Sequence, residues 1–296
     1  MDHRMMNRAV LSALVLAMSS AMTACGGGAV MSGIAAGRVG SSLAVEAQYA
    51  PRGGLVCGLR EASLSVPGTA ETKASEACQK AARSDELWRE AMVVLAAHGE
   101  RLGEIASGVK PEHAGRMSVA MTGVTGPDFA EPEGAAEKAA RDAVVELVKQ
   151  IAGSKSDLSR SVTEAAGPVK TLCDGLESYL TNQVGAVAET RSELEKKRST
   201  MADRRCAAVE GNRTVCVSQS VLDRVTYATA FDDLDTLARS HMHTRDSVRA
   251  FCIVHRKLEE AAAKGHVSKE QTWVDIVNSV QSLPRTRLRQ SPSAGK

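Results

Sequence analysis

Apolar residues recur along most of this chain at intervals of three and four, the spacing that lines one face of a helix. Between residues 69 and 107 the stripe is Leu87, Trp88, Ala91, Val94, Leu95, Leu102 and Ile105, with charges elsewhere around the turn. Over 133–152 it is Ala140, Val144, Leu147 and Ile151. Two longer stripes follow. Over 168–205 the positions are Val169, Leu172, Leu176, Leu180, Val184, Val187 and Leu194. Over 218–263 they are Val221, Leu222, Val225, Leu234, Leu237, Val248, Phe251 and Leu258. Asp157 to Ala166 also reads as helical, after the break "GSKSD", in which Ser156 or Asp157 would supply the cap. At Gly167-Pro168 a kink or a restart is expected, because proline has no N–H to give to the helix. A last helix, "KEQTWVDIVNSVQSL", ends before Pro284, and the tail 284–296 is basic and polar, as disordered ends are.

The pattern changes over 29–67. "GAVMSGIAAGRVGSS" is built of small residues and predicts a tether that does not pack. Leu43, Val45, Ala47 and Tyr49 alternate, which suits a short strand or a loose segment, and Pro51, Gly53, Gly54, Pro67 and Gly68 break the remainder into turns. Residues 25–67 are therefore expected to be a flexible tether and an irregular segment, and residues 68–283 a helical domain. Aromatic residues are only 3% of the chain. Small and aliphatic side chains favour narrow helix–helix contacts. The expected fold class is all-α, an elongated helical bundle containing a long disulfide-stapled antiparallel hairpin over about 168–263.

At the N-terminus, Arg4 and Arg8 precede "AVLSALVLAM", an uncharged run from Ala9 to Met18. A basic start, about ten apolar residues and a small-residue end make an export signal, too short to span a bilayer. Met22-Thr23-Ala24-Cys25 resembles the lipobox of bacterial lipoproteins. The resemblance covers the N-terminal segment alone and has Met22 where leucine is usual. It implies that residues 1–24 are removed and that the Cys25 sulfur carries a diacylglycerol. It further implies an outer-membrane anchor facing the periplasm, since Gly26 stands where the inner-membrane retention signal has Asp.

With Cys25 acylated, six cysteines remain: Cys57, Cys78, Cys173, Cys206, Cys216 and Cys252. In an oxidising compartment an even set reads as disulfides. Between the two longest stripes lies "CAAVEGNRTVC", with a turn signal at Gly211-Asn212. Cys173 is 33 residues before Cys206 and Cys252 is 36 residues after Cys216. At a rise of 1.5 Å per residue the two arms are about 50 and 54 Å long, equal to within one turn. Folding them back predicts Cys206–Cys216 at the tip and Cys173–Cys252 at the far end, leaving Cys57–Cys78 to pin the N-terminal segment to the first helix.

Charge and motifs narrow the function further. The chain has 37 Lys+Arg and 35 Asp+Glu, and without residues 1–24 a nearly neutral body of 35 against 34. This argues against nucleic-acid binding, which needs a basic surface. His241 and His243 in "HMHTRD" are two apart, so a helix points them in different directions, whereas helical metal pairs stand three or four apart. Cys252 and His255 have that spacing, but a disulfide-bonded sulfur cannot ligate. Asp232, Asp233 and Asp235 in "FDDLDTL" project around a helix as a charged face. Glu131 and Glu133 lie in a Gly/Pro-rich connection near Asp128. Paired carboxylates hydrolyse glycosides, yet only Phe129 is nearby as an aromatic platform. Arg285, Arg287 and Arg289 offer weak attraction to anionic polymers. The expectation is a binding, scaffold or spacer module held to the bilayer through Cys25 and serving an envelope protein, with no catalytic residue, metal or cofactor. A cell-wall hydrolase and a carrier of apolar ligands are the alternatives.

Overall fold

In a computed structural model, the chain is described over residues 27–49, 53–64, 75–108, 132, 134–153, 157–207, 213–267 and 270–281. Side chains are described for these except at 27–29, 49, 59–64, 152–153, 197–207, 213–227, 270 and 281. The described residues form helices α1 (Gly27–Tyr49), α2 (Gly53–Leu64), α3 (Glu76–Ser107), α4 (Ala135–Gly153), α5 (Leu158–Ala207), α6 (Arg213–Ala263) and α7 (Glu270–Gln281), with no strand among them. The fold is an all-α bundle, as the periodicity predicts.

The hairpin organises it. At 50 and 51 residues, α5 and α6 are each about 75 Å long. They run antiparallel in a fixed register. Cys173 is bonded to Cys252, Arg249 reaches Glu177, and Arg191 reaches Asp235. The step from Glu177 to Arg191 is fourteen residues, and the step back from Arg249 to Asp235 is also fourteen. Of the predicted stripes, Val169, Leu172, Leu176, Leu180, Val187 and Leu194 on α5 and Leu234, Leu237, Val248, Phe251 and Leu258 on α6 are buried and Val184 is half-buried, whereas Val221, Leu222 and Val225 lie outside the side chains described. Helix α5 does not restart at Gly167-Pro168 but continues through it. Proline removes one internal hydrogen bond, and the side chains on either side, Val162, Ala165, Val169 and Leu172, are buried.

Three apolar clusters follow one another along this hairpin. At its base, Leu158 and Val162 of α5 and Val254 and Leu258 of α6 meet Leu102 of α3, Ala35 and Ala36 of α1, and Trp273 and Ile276 of α7. In the middle, Trp88, Met92 and Leu95 of α3 pack with Leu43 of α1, Leu147 of α4 and Leu176 of α5. Towards the tip, Val187, Leu194, Leu234 and Leu237 close over Val56 of α2.

The segment 27–64 corrects the sequence reading. It is neither a loose tether nor a strand but two packed helices, α1 and α2. Gly33, Gly37 and Gly40 of α1 lie against Ala96, Gly99, Gly103 and Ala106 of α3. A methyl group on Gly40 would stand 2.7 Å from the Ala96 carbonyl oxygen, and one on Gly33 would stand 2.1 Å from the Ala106 Cβ. No other residue type fits at that separation. An interior glycine costs a helix up to about 1 kcal/mol relative to alanine, so local propensity reads this stretch as loose. The close backbone contact, with Ala35, Ala36 and Leu43 buried beside it, overrides that cost.

Candidate functional site

The sequence-derived candidates do not converge. His241 is buried on α6, whereas His243, two residues on, is exposed. Thr244 beside them is buried and donates from Oγ1 to Glu46 Oε2 of α1 at 3.2 Å. Asp232, Asp233 and Asp235 lie on the exposed face of α6, and Asp235 is held by Arg191 across the hairpin. Cys252 is in the disulfide with Cys173, and Cys57 is paired with Cys78. Cys25, Cys206, Cys216, Glu131, Glu133, Asp128, Phe129, Arg285, Arg287 and Arg289 lie outside the residues or side chains described. Among the described residues no three metal-binding side chains gather, and no helix is long and apolar enough to cross a membrane.

Two polar sites inside the bundle were not signalled by any motif. The first is Asp85 on α3. Its Oδ1 accepts from the Gly53 N–H at 2.8 Å and from the Tyr179 hydroxyl of α5, and its Oδ2 accepts from the Gly54 N–H at 2.7 Å. Asp85 thereby caps the N-terminus of α2 from a different helix, where free N–H groups and the helix dipole both favour a carboxylate. Burial raises the Asp85 carboxyl above its usual value of 3.8, and the three donors pull it back only in part. Burial, and then the Asp85 charge, drive the Tyr179 phenol far above its ordinary range, so it stays protonated and donates. The Tyr179 ring stacks on Trp88 at 5.4 Å between centroids. Trp88 in turn covers Gly175, where a Cβ would stand 2.6 Å from the indole. Together with Cys57–Cys78, this site fixes both ends of the α2–α3 contact.

The second is a histidine pair. His98 of α3 and His255 of α6 are 2% and 3% exposed, and their Nε2 atoms face each other at 3.2 Å. One ring must donate and the other accept, and burial disfavours the charged form of both, so the pair is neutral near pH 7. Burial lowers His98 well below 6.5, with the His255 and Arg101 charges adding to the effect, and burial alone lowers His255 to about 4. On the other side of His98 is a small cleft lined by His98 and Arg101 of α3, Gln150 and Ile151 of α4, and Ser161 and Glu164 of α5. Its volume is about 10 Å³.

A signal for both sites is present in the sequence. Asp85 and His98 fall on the apolar stripe of α3, three residues from Trp88 and from Leu95, where a polar side chain must find an internal partner. Their partners are 94 and 157 residues away, beyond the reach of any local motif. Comparison with protein-family models, curated proteins and solved structures found no match to this chain.

Proposed function

We propose that this chain is an exported lipoprotein, acylated at Cys25 and anchored in the outer membrane, whose helical body faces the periplasm. There it acts as a binding, scaffold or spacer module for a protein of the cell envelope. The disulfides carry the reading most directly. Cys57–Cys78 and Cys173–Cys252 use four of the six cysteines left once Cys25 is set aside, and stable pairs of this kind belong to oxidising compartments.

The arrangement of α1 supports the same reading and sharpens it. Because α1 starts at Gly27, only Gly26 separates it from Cys25, so the lipid would hold the bundle close to the bilayer rather than on a long leash. Ala35 and Ala36 of α1 pack at the base of the hairpin, and Leu43 packs in the middle. The start of α1 therefore sits at the base, and the end of α5 at Ala207 lies about 70 Å further along the hairpin. An anchor at the base presents the opposite end away from the membrane, as a spacer or docking arm requires.

The test is metabolic labelling of growing cells with a clickable fatty acid, comparing the wild type with Cys25→Ala. Label on the wild type alone, with the protein in the outer-membrane fraction, is the expected result. Equal labelling of both proteins, or of neither, overturns the proposal. Crosslinking in intact cells followed by capture then tests the partner, and a protein recovered with wild type but lost with Cys25→Ala is expected.

A further inference from the structure

The cleft beside the histidine pair has a lining that calls for a ligand. Three helices each contribute one polar atom with no solvent contact and no hydrogen-bond partner among the described residues: His98 Nδ1 from α3, Gln150 Oε1 from α4 and Ser161 Oγ from α5. Buried polar atoms in native proteins are otherwise satisfied almost without exception, and each one left alone keeps the full cost of leaving water. His98 and Ser161 are 2% and 6% exposed, so bulk solvent does not supply the bonds. The volume of about 10 Å³ matches the space swept by the centre of one water molecule. It is too small for an organic substrate.

We propose that this cleft binds a single ordered water, held by Ser161 Oγ, Gln150 Oε1 and His98 Nδ1, and that this water sets the tautomer of the histidine pair. The donor count fixes the direction of each bond. Gln150 Nε2 donates to Glu146 Oε1 at 3.0 Å, which turns its acceptor oxygen to the cleft. The water gives one hydrogen to Gln150 Oε1 and accepts the Ser161 hydroxyl hydrogen. Its second hydrogen goes to His98 Nδ1. His98 then carries its own proton on Nε2 and donates across 3.2 Å to His255 Nε2, so His255 carries its proton on Nδ1. The water thus ties α3, α4 and α5 together, and its orientation is relayed to α6.

The groups around this network are unequal in charge. Arg101 of α3 and Glu164 of α5 line the cleft, and Arg160 donates to Glu164 at 2.6 Å. From α6, Phe251 stacks near His255 at 6.3 Å between ring centroids.

Crystallography of the full chain, at a resolution that shows ordered solvent, joined to nitrogen NMR of the two rings well above pH 6.5, tests the proposal. The expected density is one water within about 2.7–3.2 Å of all three atoms, with His98 protonated on Nε2 and His255 on Nδ1. Ser161→Ala keeps the cavity but removes one partner, and should shorten the water's residence time about fivefold by magnetic relaxation dispersion. Ser161→Val fills the cavity and should abolish the bound-water signal. A direct Ser161–His98 or Ser161–Gln150 hydrogen bond with nothing between, or His98 protonated on Nδ1, overturns the proposal. Should Ser161→Val fail to fold, the wild-type density and ring nitrogens decide alone.

Discussion

Helices α1 and α3, like helices α5 and α6, form an antiparallel pair, but the two seams are held by different physics. Between α5 and α6 the contact is made by large aliphatic side chains, one disulfide and two interhelical ion pairs. Distance is set by side-chain volume, and one rung can be lost without disturbing the next. Between α1 and α3 the central stretch of the seam is made by glycine, with Ala35, Ala36 and Leu43 packing on α3 side chains beside it. Gly37 and Gly103 bring backbone against backbone, and a Cβ on Gly103 would lie 3.0 Å from the Gly37 Cα. At Gly33 and Gly40 an added Cβ would stand inside contact distance, at 2.1 and 2.7 Å from atoms of α3. The first kind of contact is robust to small changes and depends on a covalent clamp, whereas the second depends on the absence of atoms.

The largest effect should come from removing the clamp. Changing both Cys173 and Cys252 to serine opens a loop of 79 residues, worth about 4 kcal/mol by loop-closure entropy. Cys57 and Cys78, only 21 residues apart, should cost about 3 kcal/mol. Urea unfolding of the two double variants checks both values and their order. Next, Gly40→Val forces branched carbons onto the Ala96 carbonyl and should cost about 3 kcal/mol, at the upper end for an overpacked site. Gly185→Ala on α5, where a Cβ meets nothing within 4 Å, should be neutral or stabilising by up to about 1 kcal/mol. Equal costs for the two glycine variants would mean that the α1–α3 contact is no tighter at Gly40 than the open surface around Gly185.

The histidine pair sharpens the comparison through pH, because it joins α3 of one seam to α6 of the other. Burial depresses both rings in the folded state, so the unfolded chain binds protons more readily. Stability is therefore free of their titration above pH 6.5 and declines as pH falls from there, His255 accounting for the decline down to about pH 4. The loss should be on the order of 3 kcal/mol. His255→Leu should flatten the slope of stability against pH across that window in denaturant titrations. The smallest effect belongs to the exposed pair Arg191–Asp235, which also places Arg191 over the Phe231 ring at 5.6 Å. Arg191→Ala should cost no more than about 1 kcal/mol, with the ion-pair share reduced by salt.

The two seams also differ in how far they could be read from the amino-acid sequence. The hairpin was legible because its signals repeat. Seven apolar positions mark α5 from Val169 to Leu194, and Cys173 and Cys252 stand level, to within one turn, when counted from the turn signal at Gly211-Asn212. The glycine seam was not, because its residues were judged by what they do to an isolated helix. Gly33, Gly37 and Gly40 lower local helix propensity, and the matching Gly99 and Gly103, distant in sequence, turn that deficit into a fit. The polar sites escaped for a related reason. His98 looks like an ordinary member of the α3 stripe until His255 and the cleft residues are folded against it. What the periodicity does not encode is pairwise complementarity between distant segments.

Amide hydrogen exchange on the full-length protein tests most directly whether α1 is part of the bundle. If the glycine seam holds, the amides of residues 33–47 exchange as slowly as those of 91–102 on α3, and Gly40→Val releases the first group while sparing the α5–α6 pairing around Cys173 and Cys252. Exchange of residues 33–47 at the rate of an unfolded chain in the wild-type protein would contradict it, and would return this stretch to the role of a loose tether.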